Sequence, residues 1–210
     1  MITLAIDAST YRGTVAVFND RELTSSVHAT MRGAHAEALM PAVDTALKEA
    51  SVSVTGLSRV VCGEGPGSFT SLRIAASIAK GICLGAGIPL YAVSSLGLAA
   101  ASASATGTFV VTIDALRDEW YAAAFERTTA GVVAPQSPVS IVAKSDLPAF
   151  AAGVGPVVTD AEPDARACAS LFDEIVARGP VDLDRWEPSY GRLAEAQVKW
   201  ETAHGRPLKA

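Results

Sequence analysis

The segment Gly63-Glu-Gly-Pro-Gly-Ser-Phe-Thr-Ser71 is where this chain comes nearest to a ligand cradle. Glycines let a backbone turn sharply and approach a bound group, and a helix that follows offers unpaired amides at its positive end. Ser68, Thr70 or Ser71 can cap such a helix. The same features describe a tight strand-to-helix turn that binds nothing, and this plainer reading is preferred because Glu64 would repel an anion. Gly65, Gly67 and Ser68 stay candidates for phosphate or nucleotide contact, with Asp7 and Ser9 of the loop Asp7-Ala-Ser-Thr-Tyr-Arg-Gly13. Asp7 and Asp114 each close a predicted strand, where paired carboxylates can flank a metal and phosphates. The loop after Asp114 has no glycine and carries bulky side chains where backbone amides would be needed. An intact two-loop clamp is therefore not expected, and Asp114 reads as a turn or interface residue.

Other chemistries find less support. His28, His35 and His204 form no metal-binding pair one helical turn apart. No Gly-x-Ser-x-Gly elbow is present for serine catalysis. Cys62, Cys83 and Cys168 are isolated and odd in number, which fits a reducing compartment better than a disulfide framework or a zinc site. The net charge is -5, and no basic stripe occurs in the first 180 residues for gripping a phosphate backbone unaided. Arg185, Arg192 and Lys199 recur every seven residues and can share a helical face, most simply a solvated one. The opening Met1 to Asp7 lacks a basic region and reaches an acid too soon for a signal peptide, so a cytoplasmic protein is expected. The uncharged stretch from Gly81 to Ile113 is broken by Pro89 and several glycines, a poor pattern for a membrane span.

The elements that must position these residues follow from hydrophobic patterning. Half of the 210 residues are hydrophobic and only 6% aromatic, so the core must be built mainly from Ala, Val, Leu and Ile. Ile2 to Asp7, Gly13 to Asn19 and Glu22 to Ala29 are predicted strands, the last two joined by a turn at Asn19-Asp20. A helix is predicted over Ala34 to Ala50, with Leu39, Val43, Ala46 and Leu47 on one face, and Pro41 implies a kink or a late start. A strand over Leu57 to Cys62, a helix over Leu72 to Gly85 and a strand over Ile88 to Val93 complete the order βββαβαβ. That is the order of ribonuclease-H-like and actin-like domains. Ile6 to Phe18 also lies without gaps on Ile113 to Phe125, with Ile, Asp, Ala, Ala and Phe identical. Together these features predict an α/β protein of actin-like ATPase fold with subdomains over 1–105 and 106–210, the second degenerate. The second half offers a strand over Val154 to Thr159, a helix from Asp164 to Ala177 and a C-terminal helix after Pro188. Leu98 to Thr108 is either a tightly packed helix or a mobile linker.

With these residues in place, the chain resembles the TsaB (YeaZ) family along nearly its whole length. The resemblance rests on Leu4-Ala-Ile-Asp7-Ala-Ser9, His35 with Leu39-Met-Pro41, Gly63 to Thr70 with Arg73-Ile74, and Val93-Ser-Ser-Leu96. Ile113-Asp-Ala with Arg117 and Glu119-Trp-Tyr121, and Glu187-Pro-Ser-Tyr190-Gly-Arg192, extend it. Ser71 stands where the family usually has glycine, which weakens the loop as a phosphate cradle. Gly191 stands where leucine is usual, which weakens docking of the C-terminal segment. The resemblance implies a non-catalytic scaffold or activator of the tRNA threonylcarbamoyladenosine (t6A) machinery, partnered by a TsaD-like catalytic subunit and a TsaE-like ATPase. It also implies a homodimer when the protein is alone, contact with tRNA only through the complex, and no membrane. The metal-binding histidine pair of TsaD falls on Ser95 and Ala99 here. Neither catalytic residues nor a metal are expected, and weak ATP or ADP binding is left open. An autonomous ATPase or small-molecule kinase of the same fold is the alternative, and a glycoprotease-like peptidase a more distant one.

The helix over Leu72 to Gly85 supplies the expected interface. At about 100° per residue, Ile74, Ile78 and Ile82 line one side and are expected to face the sheet. Leu72, Ala75, Ala79 and Cys83 line the neighbouring side. With Leu39 and Val43 they are expected to meet a second molecule in a four-helix contact, so that Ala79→Glu would yield a folded monomer that binds nothing.

Overall fold

The first strand shows how the fold is built. β1 (Ile2–Asp7) is buried from Thr3 to Asp7, as expected of a strand covered on both faces. β2 (Arg12–Asn19) and then β3 (Glu22–Thr30) pair antiparallel on one side of it. β4 (Arg59–Gly63) and then β5 (Leu90–Val93) pair parallel on the other, giving the order β3-β2-β1-β4-β5. This computed structural model describes residues 1–31, 38–192 and 203–205. Strand periodicity sends Leu4, Ile6, Val15, Val17, Val60 and Cys62 to one face, under α1 (Leu39–Glu49) and α2 (Phe69–Ala86). Ala5, Ala16, Phe18, Val61 and Val93 face the other way, into a core shared with the second half.

The second sheet repeats the opening hairpin. β6 (Gly107–Asp114) pairs antiparallel with β7 (Glu119–Arg127), so Asp7 and Asp114 both end the first strand of a hairpin. β8 (Val133–Pro135) and β9 (Ser140–Ala143) add to β7, and β10 (Val157–Val158) runs parallel to β6. α3 (Ser95–Ser102) and α5 (Cys168–Arg178) contribute Leu96, Leu98, Cys168, Leu171 and Phe172 to the core between the sheets. The short α4 (Leu147–Ala151) packs on the opposite face of the second sheet, against Val110, Ala122 and Val142. The chain has the actin-like, ribonuclease-H-like α/β fold, with both faces of its first sheet covered.

Several expectations resolve in physical terms. The small-residue stretch is a packed helix as far as Ser102. Its free C-terminal carbonyls are collected by Arg127, whose Nη2 donates to the carbonyls of Ala100, Ala101 and Ala103 at 2.8, 3.1 and 2.9 Å. α2 begins three residues before its predicted start, and α1 begins late, with Pro41 in its first turn. The predicted helix start from Ala34 to Glu37, with His35, lies outside the described residues, as do residues 193–202 of the predicted C-terminal helix. Arg185 and Arg192 share no helical face, since residues 179–192 form an irregular strap that pairs Arg185 with Asp182 and Arg192 with Glu119. Lys199 is outside the described residues.

The orientation of α2 is the main correction. Leu72, Ala75, Ala79 and Cys83 are buried against the sheet, with Leu39 and Val43 of α1 in the same core. Small side chains let α2 lie close to β1 and β4, so the stripe assigned to a partner is the internal seam. Ile74 and Ile78 flank it half-buried, and Ile82 joins the core. By length and hydropathy α2 alone among the described helices would suffice to cross a membrane, but this buried stripe makes it a core helix. Ala79 is fully buried, and an unpaired charge there costs several kcal/mol, roughly the stability of a domain. Ala79→Glu is therefore expected to abolish cooperative thermal unfolding, whereas a folded variant with a normal melting transition would place this stripe on the surface.

Candidate functional site

Asp7 sits at the end of β1 with no exposed surface. Its Oδ1 accepts from the Ser9 amide at 2.9 Å and the Ser9 hydroxyl at 2.7 Å, and its Oδ2 accepts from the Ser95 hydroxyl at 2.5 Å. Burial raises the Asp7 carboxyl above its ordinary range, against the lowering effect of the bonds from Ser95 and Ser9. Ser95 Oγ in turn accepts from the Gly65 amide at 3.0 Å, and the Ser95 amide donates to the Gly65 carbonyl at 3.1 Å. One serine at the start of α3 thus joins the carboxylate to the glycine loop.

The glycines of that loop are filled by the protein itself. A Cβ on Gly63 would lie 1.9 Å from Asp7 Oδ2, and one on Gly67 would lie 2.1 Å from the Ser9 carbonyl oxygen. That carbonyl accepts from the Ser68 amide at 2.7 Å. Gly65 has φ +90°, and a Cβ there would lie 2.2 Å from the Ser189 carbonyl oxygen. Asp7, Ser9, Gly65, Gly67 and Ser68 are brought together, with the Ser9 amide bonded to Asp7, the Gly65 amide to Ser95 and the Ser68 amide to the Ser9 carbonyl. Ser68 occupies the N-cap position of α2 without a side-chain capping bond; its hydroxyl meets that of the buried Ser71 at 3.0 Å.

The strap closes the remaining side. The Ser189 amide donates to the Glu64 carbonyl at 2.7 Å, and Arg178 binds the Glu64 carboxylate. Tyr121 Oη donates to the Tyr190 carbonyl at 3.1 Å, and Arg192 pairs with Glu119. Gly191, expected to weaken docking, instead permits it. Its φ is +69°, and a Cβ would lie 2.5 Å from the Tyr121 ring and 2.7 Å from Pro66. Sequence reasoning missed Ser95 as the partner of Asp7, and missed the strap, whose contacts join residues with no shared pattern.

The other candidates stand apart. Asp114 Oδ1 accepts from the Leu116 amide at 3.2 Å and lies 3.2 Å from Lys144, which makes it a turn residue. Ser95 and Ala99 lie one turn apart on α3, both buried. Burial raises all three thiols, Cys83 to about 11. Among the described residues no three His, Cys, Asp or Glu side chains converge on a metal-sized space. Most described surface cations face a carboxylate, from Arg12 with Glu162 to Arg166 with Asp164, so no basic stripe forms among the described residues.

Residues 25–150, more than half of the chain, match the model of the family described as TsaD, tRNA N6-adenosine threonylcarbamoyltransferase. The tRNA threonylcarbamoyladenosine biosynthesis protein TsaB of Escherichia coli K12 is 34% identical over 135 residues, which is 63% of this chain and 58% of that one. TsaB of Bacillus subtilis 168 is 32% identical over 127 residues, 60% of this chain and 56% of that one. The chain belongs to the TsaB (YeaZ) family. It matches a little over half the length of these TsaB relatives. The solved structure of YeaZ from Pseudomonas aeruginosa superposes with a TM-score of 0.78 at 24% identity, over 90% of this chain and 99% of that one, and so shares the fold.

Gly67→Val tests the closed loop. The added side chain collides with the Ser9 backbone that Ser68 binds, and stability is expected to fall by about 3 kcal/mol in a denaturant titration. An unchanged midpoint would mean that the loop has room for a ligand.

Proposed function

We propose that this TsaB-family protein is a non-catalytic subunit of the t6A machinery, acting by docking a TsaD-like catalytic subunit on the outer face of α2 and the adjoining α1. In this reading a TsaE-like ATPase joins the assembly, tRNA is met only through the complex, the free protein pairs with itself, and the whole operates in the cytoplasm. The interior supports the reading indirectly, since Ser9 and Ser95 engage both the Asp7 carboxylate and the glycine loop. The single observation that carries it lies on α2. Gly81 and Gly85 are exposed in an 18-residue helix, and a Cβ at either would meet nothing within 4 Å. Glycine inside a helix costs about 1 kcal/mol relative to alanine, and neither crowding nor a positive φ requires it at these positions.

With Ser77 these glycines form a furrow one turn apart along the outward side. Leu84, 66% exposed, lies beside it, as do the half-buried Ile74 and Ile78, and Met40 on α1 is 47% exposed. A partner helix seated there gains close backbone approach and buries these apolar groups, which accounts for glycines that the isolated chain does not need. Association of the purified protein with the TsaD-like subunit of the same organism tests this. Leu84→Glu is expected to weaken binding at least tenfold without altering the melting temperature, and Gly81→Ala to weaken binding while raising it. Undiminished binding by Leu84→Glu would contradict the reading.

A further inference from the structure

Arg73 lies on the strap side of the same outward face of α2, and its guanidinium has no counterion among the described residues. Its Cζ stands 4.2 Å from the Phe69 ring centroid and 5.6 Å from that of Tyr190, and the two rings are tilted with centroids 4.5 Å apart. Nε donates to Tyr190 Oη at 3.2 Å, and Tyr190 Oη donates onward to Glu187 Oε2 at 3.1 Å. That carboxylate also faces Lys80 at 4.0 Å, so the nearest acid is already engaged. The four N–H donors on the two terminal nitrogens of Arg73 have no acceptor among the described residues, although the side chain is exposed. A guanidinium presents its donors as a planar fork matched to a carboxylate, and two aromatic faces that fix its rotamer remove much of the ordering cost of binding.

We propose that Arg73 is a preset receptor for a carboxylate side chain of the protein that docks on α2. This rests on the reading that the outer face of α2 carries the partner. Arg, Tyr and other aromatic residues dominate the energetics of protein interfaces when their surroundings exclude water, and a partner seated on the furrow, which begins at Ser77 one turn from Arg73, would supply such surroundings. An RNA phosphate fits the same fork but is disfavoured. Phosphate-backbone recognition needs several cations together, whereas Lys80, the neighbouring cation on this side of α2, is turned to Glu187 and the Trp186 ring.

Calorimetric binding of the TsaD-like subunit to the wild type, Arg73→Gln, Arg73→Lys and Leu84→Glu decides the matter, with thermal unfolding of each variant as a control. Arg73→Gln is expected to weaken binding about 30-fold or more, with a flatter salt dependence than the wild type. Arg73→Lys, which keeps the charge and the aliphatic stem but not the fork, is expected to recover only part of the loss. Wild-type affinity in both Arg73 variants overturns the inference, and the behaviour of Leu84→Glu then locates the fault. If Leu84→Glu fails to bind, the face is right and the fork is wrong; if it also binds normally, both fall. Weakened tRNA binding by the assembled complex, with subunit affinity unchanged, would assign the fork to phosphate and overturn the proposal. Loss of self-association alone would overturn it equally.

Discussion

The structure turns on one buried carboxylate. An ionised Asp7 inside the fold is costly unless its oxygens are well bonded, and three donors from Ser9 and Ser95 meet that need. The two serines come from different levels of the architecture. Ser9 belongs to the loop leaving β1, and Ser95 starts α3, which carries Leu96 and Leu98 into the core between the sheets. Because Ser95 also holds Gly65 by two bonds, satisfying Asp7 fixes the glycine loop, and with it the start of α2. The glycine loop is therefore a device for internal close approach, in which the absent side chains make room for Asp7, Ser9 and Ser189.

The strap extends the same constraint to the second half. It runs back from α5 along β5, where the Val181 amide donates to the Leu90 carbonyl at 2.8 Å, and then between the glycine loop and β7. Its bonds to Glu64, Arg73, Tyr121 and Glu119 tie the glycine loop and α2 to β7 of the second hairpin. In a fold whose loops after β1 and β6 could embrace a ligand, the first is bonded internally and the second is a tight turn with Leu116, Arg117 and Asp118 all at positive φ. The furrowed face of α2 with its stacked arginine is exposed, and the proposed function rests on that face.

Much of the fold was legible in the sequence because strands covered on both faces leave long apolar runs, as in Ile2 to Ile6 and Val60 to Cys62. The repeat from Ile113 to Phe125 was legible for a related reason: a buried hairpin keeps its inward residues. The direction of α2 was not. Its circumference carries isoleucines and alanines in adjacent stripes, and periodicity alone cannot say which stripe meets the sheet. Size decided it, because the alanines and Cys83 permit a closer helix-to-sheet distance, and the wider Ile74 and Ile78 take the flanks. Gly81 and Gly85 carry no signal in the sequence for the same reason, since their exposure is informative only once the inward face is known. The roles of Ser95, Arg127 and Gly191 arise from contacts between residues far apart in the chain, which no local pattern encodes.

The account depends most on the claim that the seat around Asp7 is closed. Titration of the isolated protein with magnesium ADP and with magnesium ATP, followed through the backbone amide resonances of Ser9, Gly65, Gly67 and Ser68, tests it directly. The account predicts that these resonances stay in place at millimolar nucleotide. Saturable shifts at these amides that vanish in Asp7→Asn would contradict it, and would show a working nucleotide cradle where the structure places a self-satisfied turn.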